Sequence, residues 1–404
     1  MEITRKGFLK GIAGAAMATG LFGRVPAGLA EARETSTATP KQVRIVNLEV
    51  FPFNMEAKQV IRIALGTMSA ENVLVRLSTA DGLVGWGESS PYSPVTGDTQ
   101  ATNVAMAKKL AEIVRGKDPF DIGRIIAEMD AATTGEPAIK AAVEMAIWDL
   151  CGKLAGRPVC SLLGNYRDSF ETDITVYLDR PETMAEKAQA IVDSGVKTVK
   201  VKVGETPEAD IERLRTVRDK VGKDITLRID ANQAWTPNQA VRALKGLDKY
   251  DIQLCEQPVA YWDWDGLKFV HNNSAIPIMA DESVHNPHDA IEAVRREAVD
   301  MINIKLMKSG GILQAVHIAQ IAEAANMKCM LGCMNETRVG LTAAAHVVLS
   351  QRNVLYADLD TFTEHKVDPV IGGMQVKDGI VRLTGKPGLG LDIDPAWLKT
   401  LRAA

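Results

Sequence analysis

Several features that define common protein classes are scarce or missing in this chain of 404 residues. The formal net charge is only -4 and no basic stripe is present, which argues against nucleic acid as a partner. No apolar run reaches the roughly 18 residues that a membrane span needs, so we expect no transmembrane segment. With 46% hydrophobic and 24% charged residues, the composition is that of an ordinary globular protein. The length suits two domains, or one large barrel with an attachment.

Cysteine is scarce as well, and its positions form no recognisable metal motif. Cys329 and Cys333 lie close together but lack zinc-ligating partners around them. The total is five, an odd number, and four of the five lie in apolar contexts typical of a core. Exported proteins usually oxidise exposed cysteines into pairs, so buried free thiols indicate a protein that folds before any export.

Residues 1–32 differ from this globular average and are predicted to be an export signal. A charged start at Arg5, Lys6 and Lys10 precedes a weakly apolar run, and small residues around Ala30 resemble a cleavage site. The stretch 4–10 resembles a twin-arginine signal, with Lys6 in place of the second arginine. We therefore expect a periplasmic or otherwise exported protein. The alternative is an amphipathic or disordered N-terminal tail.

From Asp173 onward, a β-branched, apolar segment recurs about every 25 residues, eight times in all. Helix-like stretches lie between these segments, among them residues 207–221, 237–247, 287–297 and 312–325. Eight strand-then-helix units in series predict an α/β fold with parallel strands closed into a TIM-like barrel. An open, doubly wound sheet is the alternative, but no glycine-rich phosphate turn follows the first strand.

The segments on either side of the barrel have a different pattern. Residues 43–165 predict an α+β domain, with strands at 43–53, 72–78 and 82–88 and helices at 99–113 and 136–154. The barrel is assigned to residues 166–370. Residues 371–404 read as strand and loop again, and we expect them to return to the first domain.

Ionisable residues stand at the ends of successive predicted strands. Asp230, Glu256, Asp281 and Lys305 follow one another at steps of 26, 25 and 24 residues, and Lys202 precedes Asp230 by 28. Each step is one β/α unit, so we expect similar depth around one pocket at the carboxyl ends of the strands. Three carboxylates there require a counter-charge, and an all-oxygen ligand set favours Mg²⁺ over zinc. The alternative is a structural network of acids and lysines.

Two further assignments concern neighbours of these residues. Glu282 adjoins Asp281, and strand alternation would let only one of the two point inward, so either is a candidate third ligand. Lys200 and Lys202 face the same side, where like charges lower each other's pKa, so one of them is a candidate base. Lys305 lies four strands away. Lysines on opposite sides predict proton removal on one side and return on the other, with a Mg²⁺-bound carboxylate as the electron sink for the enolate.

Five motifs, in this order and spacing, resemble the enolase superfamily in its muconate lactonizing enzyme subgroup. They are Lys200-Val-Lys202, Asp230-Ala-Asn232, Glu256-Gln-Pro258, Ala280-Asp-Glu-Ser283 and Asn303-Ile-Lys305. The resemblance covers roughly residues 43–395. It implies a (β/α)₇β barrel with an α+β capping domain that closes over substrate.

The resemblance also implies roles for individual residues. The implied Mg²⁺ ligands are Asp230, Glu256 and Asp281. Lys202 and Lys305 would form the acid/base pair, and Lys200 would assist Lys202 and the enolate carboxylate.

Within that subgroup, Asp358-Leu-Asp360 is similar to the dipeptide epimerases, such as the L-Ala-D/L-Glu epimerases. Alternation aims both acids into the pocket, where they would bind the free α-ammonium of a peptide. Met334-Asn-Glu-Thr337 is similar to that group too, and we take Met334 as a substrate contact. The alternative for Asp358 and Asp360 is a capped turn after the strand.

The function predicted from these motifs is Mg²⁺-dependent epimerisation of the C-terminal residue of a dipeptide by two-base 1,1-proton transfer. Glutamate-specific epimerases carry an arginine in the capping-domain loop near residues 64–70, and this chain has none there, the nearest being Arg62. The side chain of the epimerised residue is therefore left open between glutamate and a hydrophobic or other side chain. We also expect Tyr92, in the second lid loop, to contact substrate.

Three other functions are alternatives to dipeptide epimerisation. A muconate-type cycloisomerase or an N-acylamino acid racemase would use the same lysines, but neither has a use for Asp358 and Asp360. An alternative from outside the enzymes is a non-catalytic, exported protein that uses the barrel to bind peptides. The sequence leaves open whether the protein forms a homo-oligomer.

Overall fold

The computed structural model describes residues 43–404. The predicted export signal at residues 1–32 lies outside the described residues. Within residues 43–404 no helix is both long and apolar enough to cross a membrane.

The described residues begin with a three-stranded antiparallel sheet that helices cover. Its strands lie in the order β1 (Ile45–Met55), β4 (Ala70–Thr79) and β5 (Val84–Ser89). Gly85 and Gly87 let the long helix α4 lie directly on β5, because a Cβ on Gly87 would stand 1.9 Å from the carbonyl oxygen of Ala142. The elements of this part are β1 (Ile45–Met55), β2 (Ile61–Ile63), β3 (Gly66–Met68), β4 (Ala70–Thr79), β5 (Val84–Ser89), α1 (Ser93–Thr96), α2 (Gln100–Val114), α3 (Ile122–Ala132), α4 (Pro137–Ala155) and α5 (Val159–Leu162).

Eight parallel strands follow in strict sequence order, from β7 to β14. A helix follows each of the first seven strands, which confirms the predicted (β/α)₇β architecture. The elements are β6 (Phe170–Glu171), β7 (Ile174–Val176), α6 (Pro181–Asp193), β8 (Thr198–Lys202), α7 (Pro207–Val221), β9 (Thr226–Asp230), α8 (Pro237–Leu247), β10 (Ile252–Glu256), α9 (Trp264–Asn272), β11 (Ile278–Ala280), α10 (Pro287–Arg296), β12 (Met301–Ile304), α11 (Leu306–Ser309), α12 (Ile312–Ala324), β13 (Lys328–Leu331), α13 (Arg338–Ser350) and β14 (Val354–Ala357).

The first and last barrel strands meet through a backbone hydrogen bond from Asp173 N to Ala357 O, 3.1 Å long. Below the strand ends the interior is filled by Leu254, Met279, Met301 and Met330, in a cluster of buried side chains. The barrel is therefore a packed core, and its chemistry is confined to one end.

The outer helices α7 and α8 span residues 207–221 and 237–247, as predicted. Each begins with proline after a threonine whose side chain accepts a hydrogen bond from the first helical turn. Proline suits the first helical position and threonine suits the cap, so both starts can be read from sequence.

The C-terminal segment contains β15 (Val370–Gly372), β16 (Met374–Lys377), β17 (Ile380–Leu383), β18 (Leu391–Ile393) and α14 (Pro395–Leu398). Strand β17 pairs with β6, and Asp392 accepts a 3.0 Å hydrogen bond from Trp86 Nε1 of the first sheet. The segment thus touches both the start of the barrel and the N-terminal part.

Candidate active site

The strand ends bring the predicted site residues together on one side of the barrel. Lys202, Asp230 and Glu256 are the last residues of β8, β9 and β10 and lie in register with one another. Asp281 follows β11 directly, and Lys305 follows β12. Successive parallel strands therefore present these side chains at one depth, as the spacing predicted.

Three of the lysines are paired with the acids. Lys202 Nζ lies 2.6 Å from Asp230 Oδ2, and Lys305 Nζ lies 2.8 Å from Asp281 Oδ2. Lys200 is buried behind them, with its Nζ 2.8 Å from Glu256 Oε2 and 3.1 Å from Asp230 Oδ2. Lys202 and Lys305 line the cavity, whereas Lys200 does not.

These pairs set the protonation of the site. Burial alone would lower the pKa of Lys200, but its carboxylate neighbours raise it well above its ordinary value. The expectation that Lys200 and Lys202 depress each other's pKa is therefore wrong for Lys200, because the acids outweigh the neighbouring ammonium group. Burial alone would raise the pKa of Asp230, and Lys202 and Lys200 lower it to about 2.

The structure corrects the expectation that only one of Asp281 and Glu282 points inward. Strand β11 ends at Ala280, so alternation no longer applies to these two residues. Asp281 is buried against Lys305 and Lys308, while Glu282 lines the cavity and accepts a 3.3 Å hydrogen bond from Asn232 Nδ2. Both carboxylates face the site.

The residues present fit a hard divalent cation. Six buried carboxylates (Asp230, Glu256, Asp281, Glu282, Asp358 and Asp360) against four buried lysines (Lys200, Lys202, Lys305 and Lys308) leave a net charge of -2 when all are ionised. Burial and the charge of Asp230 raise the pKa of Glu256 to about 8, so the acids repel one another as they stand. Within residues 43–404, the buried oxygens Asn232 Oδ1 and Glu282 Oε2 accept no hydrogen bond, and Glu256 Oε2 has only its ion pair with Lys200. Oxygen ligands of this kind are those that Mg²⁺ prefers.

Asp358 and Asp360 follow β14 and line the same cavity, together with Met334 and Cys333. Asp358 Oδ2 lies 2.6 Å from Lys200 Nζ, whereas Asp360 has no ion-pair partner within residues 43–404. Ligand atoms of Cys333, Asp358 and Asp360 lie within 4.8 Å of one another. Burial and the charge of Asp358 raise the pKa of Asp360 to about 7. This corner of the cavity is therefore anionic and suits a cationic group.

The opposite wall of the cavity is apolar and belongs to the N-terminal part. The hairpin of β2 and β3, the loop before α1 and α1 itself form this wall, which we call the lid, with the side chains Ile61, Ile63, Leu65, Met68, Tyr92 and Val95. Arg62 points away and pairs with Glu205 at 3.3 Å. Gly204, with φ at +114°, permits this closure because a Cβ there would stand 2.9 Å from Ala64 Cβ at the hairpin tip.

The sequence did not identify every residue of the site. Lys308 is fully buried and donates hydrogen bonds to Asp281 Oδ1 at 2.5 Å and to the carbonyl oxygen of Asn303 at 3.1 Å. It comes three residues after Lys305, one turn along α11, and that spacing was the signal that could have found it. The apolar hairpin carried no motif, because three-residue strands have too few positions to show alternation.

Parallel strands that end in carboxylates, with two lysines facing one cavity beneath a lid, define a class of barrel enzymes that move protons with the help of a metal. The chain matches "Mandelate racemase / muconate lactonizing enzyme, N-terminal domain" over residues 45–164 and "Enolase C-terminal domain-like" over residues 183–397. It belongs to this family of the enolase superfamily, as the five motifs indicated.

Characterised relatives cover nearly the whole of the described chain. The hydrophobic dipeptide epimerase of Enterococcus faecalis is 44% identical over 352 residues, which are 86% of this chain and 99% of that protein. An L-Ala-D/L-Glu epimerase of Clostridium acetobutylicum is 40% identical over 87% of this chain and 98% of its own. Such relatives confirm the prediction of an isomerase of the racemase and epimerase type.

Solved structures agree with this assignment. The dipeptide epimerase of Enterococcus faecalis, complexed with Mg and L-Leu-L-Tyr, superposes with a TM-score of 0.85 at 43% identity, covering 86% of this chain and 99% of that one. The dipeptide epimerase of Cytophaga hutchinsonii, complexed with Mg and D-Ala-L-Val, gives a TM-score of 0.88 at 38% identity, covering 89% and 99%. Both contain Mg, in agreement with the predicted cofactor.

Proposed function

We propose that this protein is a Mg²⁺-dependent dipeptide epimerase that inverts the α-carbon of the C-terminal residue. One observation carries the proposal. Lys202 and Lys305 come from strands four apart in the barrel, yet both line one cavity whose far corner holds Asp360. A dipeptide placed with its ammonium group at Asp360 has its second α-carbon between the two lysines.

The two lysines divide the proton transfer between them. The neutral form of one removes the α-proton from one face of the substrate, and the ammonium form of the other returns a proton to the opposite face. For the reverse isomer the roles exchange, which is what an epimerase requires. Lys200, whose three carboxylate neighbours keep it charged, lies below and favours negative charge on the substrate carboxylate.

Mg²⁺ would be held by Asp230, Glu256 and Asp281, and when bound it would stabilise negative charge on the substrate carboxylate. Glu282 and Asn232 complete the oxygen-rich wall on that side of the cavity. The pairing of Asp281 with both Lys305 and Lys308 fixes its carboxylate in place.

The apolar lid sets the class of side chain. Four aliphatic or thioether side chains of the hairpin and the ring of Tyr92 cover the cavity. Among residues 43–404, the only cations that line it are Lys202 and Lys305. Burying a free carboxylate such as that of glutamate against this wall, without a partner, would be costly. Hydrophobic dipeptides are therefore the favoured substrates, in line with the 44% identical relative.

Proton exchange in D₂O tests the proposal directly. The protein is incubated with Mg²⁺ and L-Ala-L-Leu, L-Ala-L-Glu or N-acetyl-L-Ala-L-Leu, and α-deuterium incorporation is followed by mass spectrometry. We expect exchange at the leucine α-carbon of L-Ala-L-Leu, at least tenfold less with the glutamate peptide, and little with the acetylated one. Absence of exchange from every free dipeptide would refute epimerase activity. Equal rates with the acetylated peptide would favour the N-acylamino acid racemase alternative.

A further inference from the structure

Tyr177 is a buried phenol with no hydrogen bond to its hydroxyl in the part of the chain that the structure describes. The residue is 5% exposed and lines the active-site cavity. The charged groups that influence it are the carboxylates of Asp360, Glu364 and Asp358, yet its hydroxyl donates to none of them. The ring is buried but the hydroxyl oxygen is not fully enclosed, so it opens to the cavity, where a ligand can reach it.

The fold fixes where the phenol stands. Thr175 lies on β7 and Tyr177 is the first residue after it, and both residues line the cavity. Thr175 N donates a 2.7 Å hydrogen bond to Asp360 Oδ2, which ties this strand end to the anionic corner. The ring of Tyr177 packs against Ile61 and Ile63 of the lid hairpin. The phenol is therefore held between lid and barrel, on the Asp360 side of the cavity.

The hydroxyl is kept in its donor form. Burial, and then the charges of Asp360 and Glu364, raise the pKa of Tyr177 well above its ordinary value. A neutral phenol surrounded by acids can offer a proton to an acceptor on the substrate. Among the other hydroxyls that line the cavity, that of Thr361 already donates to the carbonyl oxygen of Glu336 at 3.0 Å, and that of Thr175 already bonds to Asp360.

A dipeptide brings one acceptor to this place. Its ammonium group lies at Asp360 and its second α-carbon lies between Lys202 and Lys305, so the peptide carbonyl falls between these two points. We propose that the Tyr177 hydroxyl donates a hydrogen bond to the peptide carbonyl oxygen of the substrate. This inference rests on the proposed function, and it makes Tyr177 a substrate-orienting residue that selects for a peptide bond next to the reacting carbon.

The test is a double comparison of Tyr177→Phe with wild type on L-Ala-L-Leu and on its thioamide analogue, in which sulfur replaces the carbonyl oxygen. Sulfur is a poor acceptor, so wild type should lose about tenfold in kcat/KM on the thioamide. The variant should lose about tenfold on the normal peptide and little more on the thioamide, because the hydrogen bond is already gone. Its melting temperature should equal that of wild type, since the hydroxyl makes no hydrogen bond within residues 43–404 that the variant would lose.

Tyr250→Phe serves as the matched control, because this phenol lies on an outer helix turn away from the cavity, and it should leave all rates unchanged. Unchanged kcat/KM in Tyr177→Phe would overturn the proposal while leaving the epimerase activity established by wild-type exchange. A parallel loss of activity and melting temperature would mean that the phenol is structural. An undiminished thioamide penalty in the variant would mean that the hydroxyl serves another group, such as Asp360.

Discussion

At the scale of single residues, the site is a set of lysines whose neighbours decide what each can do. Lys200 touches three carboxylates and is closed off from the cavity, so it remains a fixed positive charge. Lys202 and Lys305 each contact one carboxylate that we propose as a Mg²⁺ ligand, Asp230 or Asp281, and both lysines also line the cavity. Only these two have both a partner that orients them and access to a substrate, which is why we assign them the proton transfer.

The two-lysine assignment makes a specific prediction. Lys202→Ala and Lys305→Ala should each lower epimerisation of L-Ala-L-Leu by at least about 1,000-fold, because one of the two proton transfers has lost its group. In D₂O, each variant should still exchange the α-hydrogen of one stereoisomer for deuterium, and the two variants should prefer opposite stereoisomers. Circular dichroism follows inversion and mass spectrometry follows exchange. Lys223→Ala, an exposed lysine after α7, is the control. Full epimerase activity in either active-site variant would contradict the mechanism.

Residues of the site differ in how far the sequence could identify them. Asp230 and Glu256 stand one β/α unit apart and Lys305 stands two units further on, so their common depth follows from the repeat alone. Tyr177 also follows a barrel strand, but a tyrosine in an apolar segment is more often core, and its lack of a hydrogen-bond partner appears only in three dimensions. Asp281 and Glu282 were not separable, because that question depended on the residue at which β11 ends.

At the scale of elements, helix α4 of the N-terminal part is joined to the barrel by one buried carboxylate. Glu144 is fully buried and accepts hydrogen bonds from the first amides of α12, including Leu313 N at 2.8 Å, and from Trp148 Nε1 at 3.2 Å. Gly311 leaves room for this contact, since a Cβ there would collide with the carboxylate. Burial nevertheless raises the pKa of Glu144 to about 7, because the amides compensate only in part.

This junction should make stability depend on pH. Glu144 keeps its proton up to about pH 7 in the folded protein, whereas in the unfolded chain it ionises near 4.5. The folded state therefore binds more protons between these values, and the contribution of Glu144 is lost as the pH rises towards 7. We expect Glu144→Gln to gain up to about 3 kcal/mol in unfolding free energy relative to wild type between pH 4.5 and 8.

Urea unfolding followed by tryptophan fluorescence at several pH values measures this difference. The exposed Glu112, on α2, provides the control, because Glu112→Gln should show no pH-dependent difference from wild type. A constant offset for Glu144→Gln across the pH range would show that the carboxyl group is already ionised in the folded protein at low pH.

At the scale of the whole molecule, the barrel was more predictable than what lies around it. The predicted bounds of helices α7 and α8 agree with the structure because threonine caps and proline starts mark them, whereas the repeat predicted the eight strands but not the residues at which they begin and end. The sequence pattern did not predict the hairpin of β2 and β3, and showed only that residues 64–70, which include its tip and β3, contain no arginine. The lid depends on contacts between distant segments, such as Leu178 N with Arg62 O, which no local pattern encodes.

The same contacts between distant segments bury the excess negative charge of the site between the lid and the strand ends of the barrel. Four buried lysines balance only part of the charge of six buried carboxylates, so the carboxylates repel one another until a divalent cation is added. Binding of Mg²⁺ should therefore stabilise the folded protein as well as assist the reaction. A ligand that binds only the folded state at about 100 times its Kd adds about 2.7 kcal/mol, which should raise the melting temperature by a few degrees. Differential scanning fluorimetry with EDTA and with millimolar Mg²⁺ measures this shift, and Asp230→Asn should lose most of it. An identical melting temperature in both conditions would instead favour a closed network in which the lysines alone balance the acids.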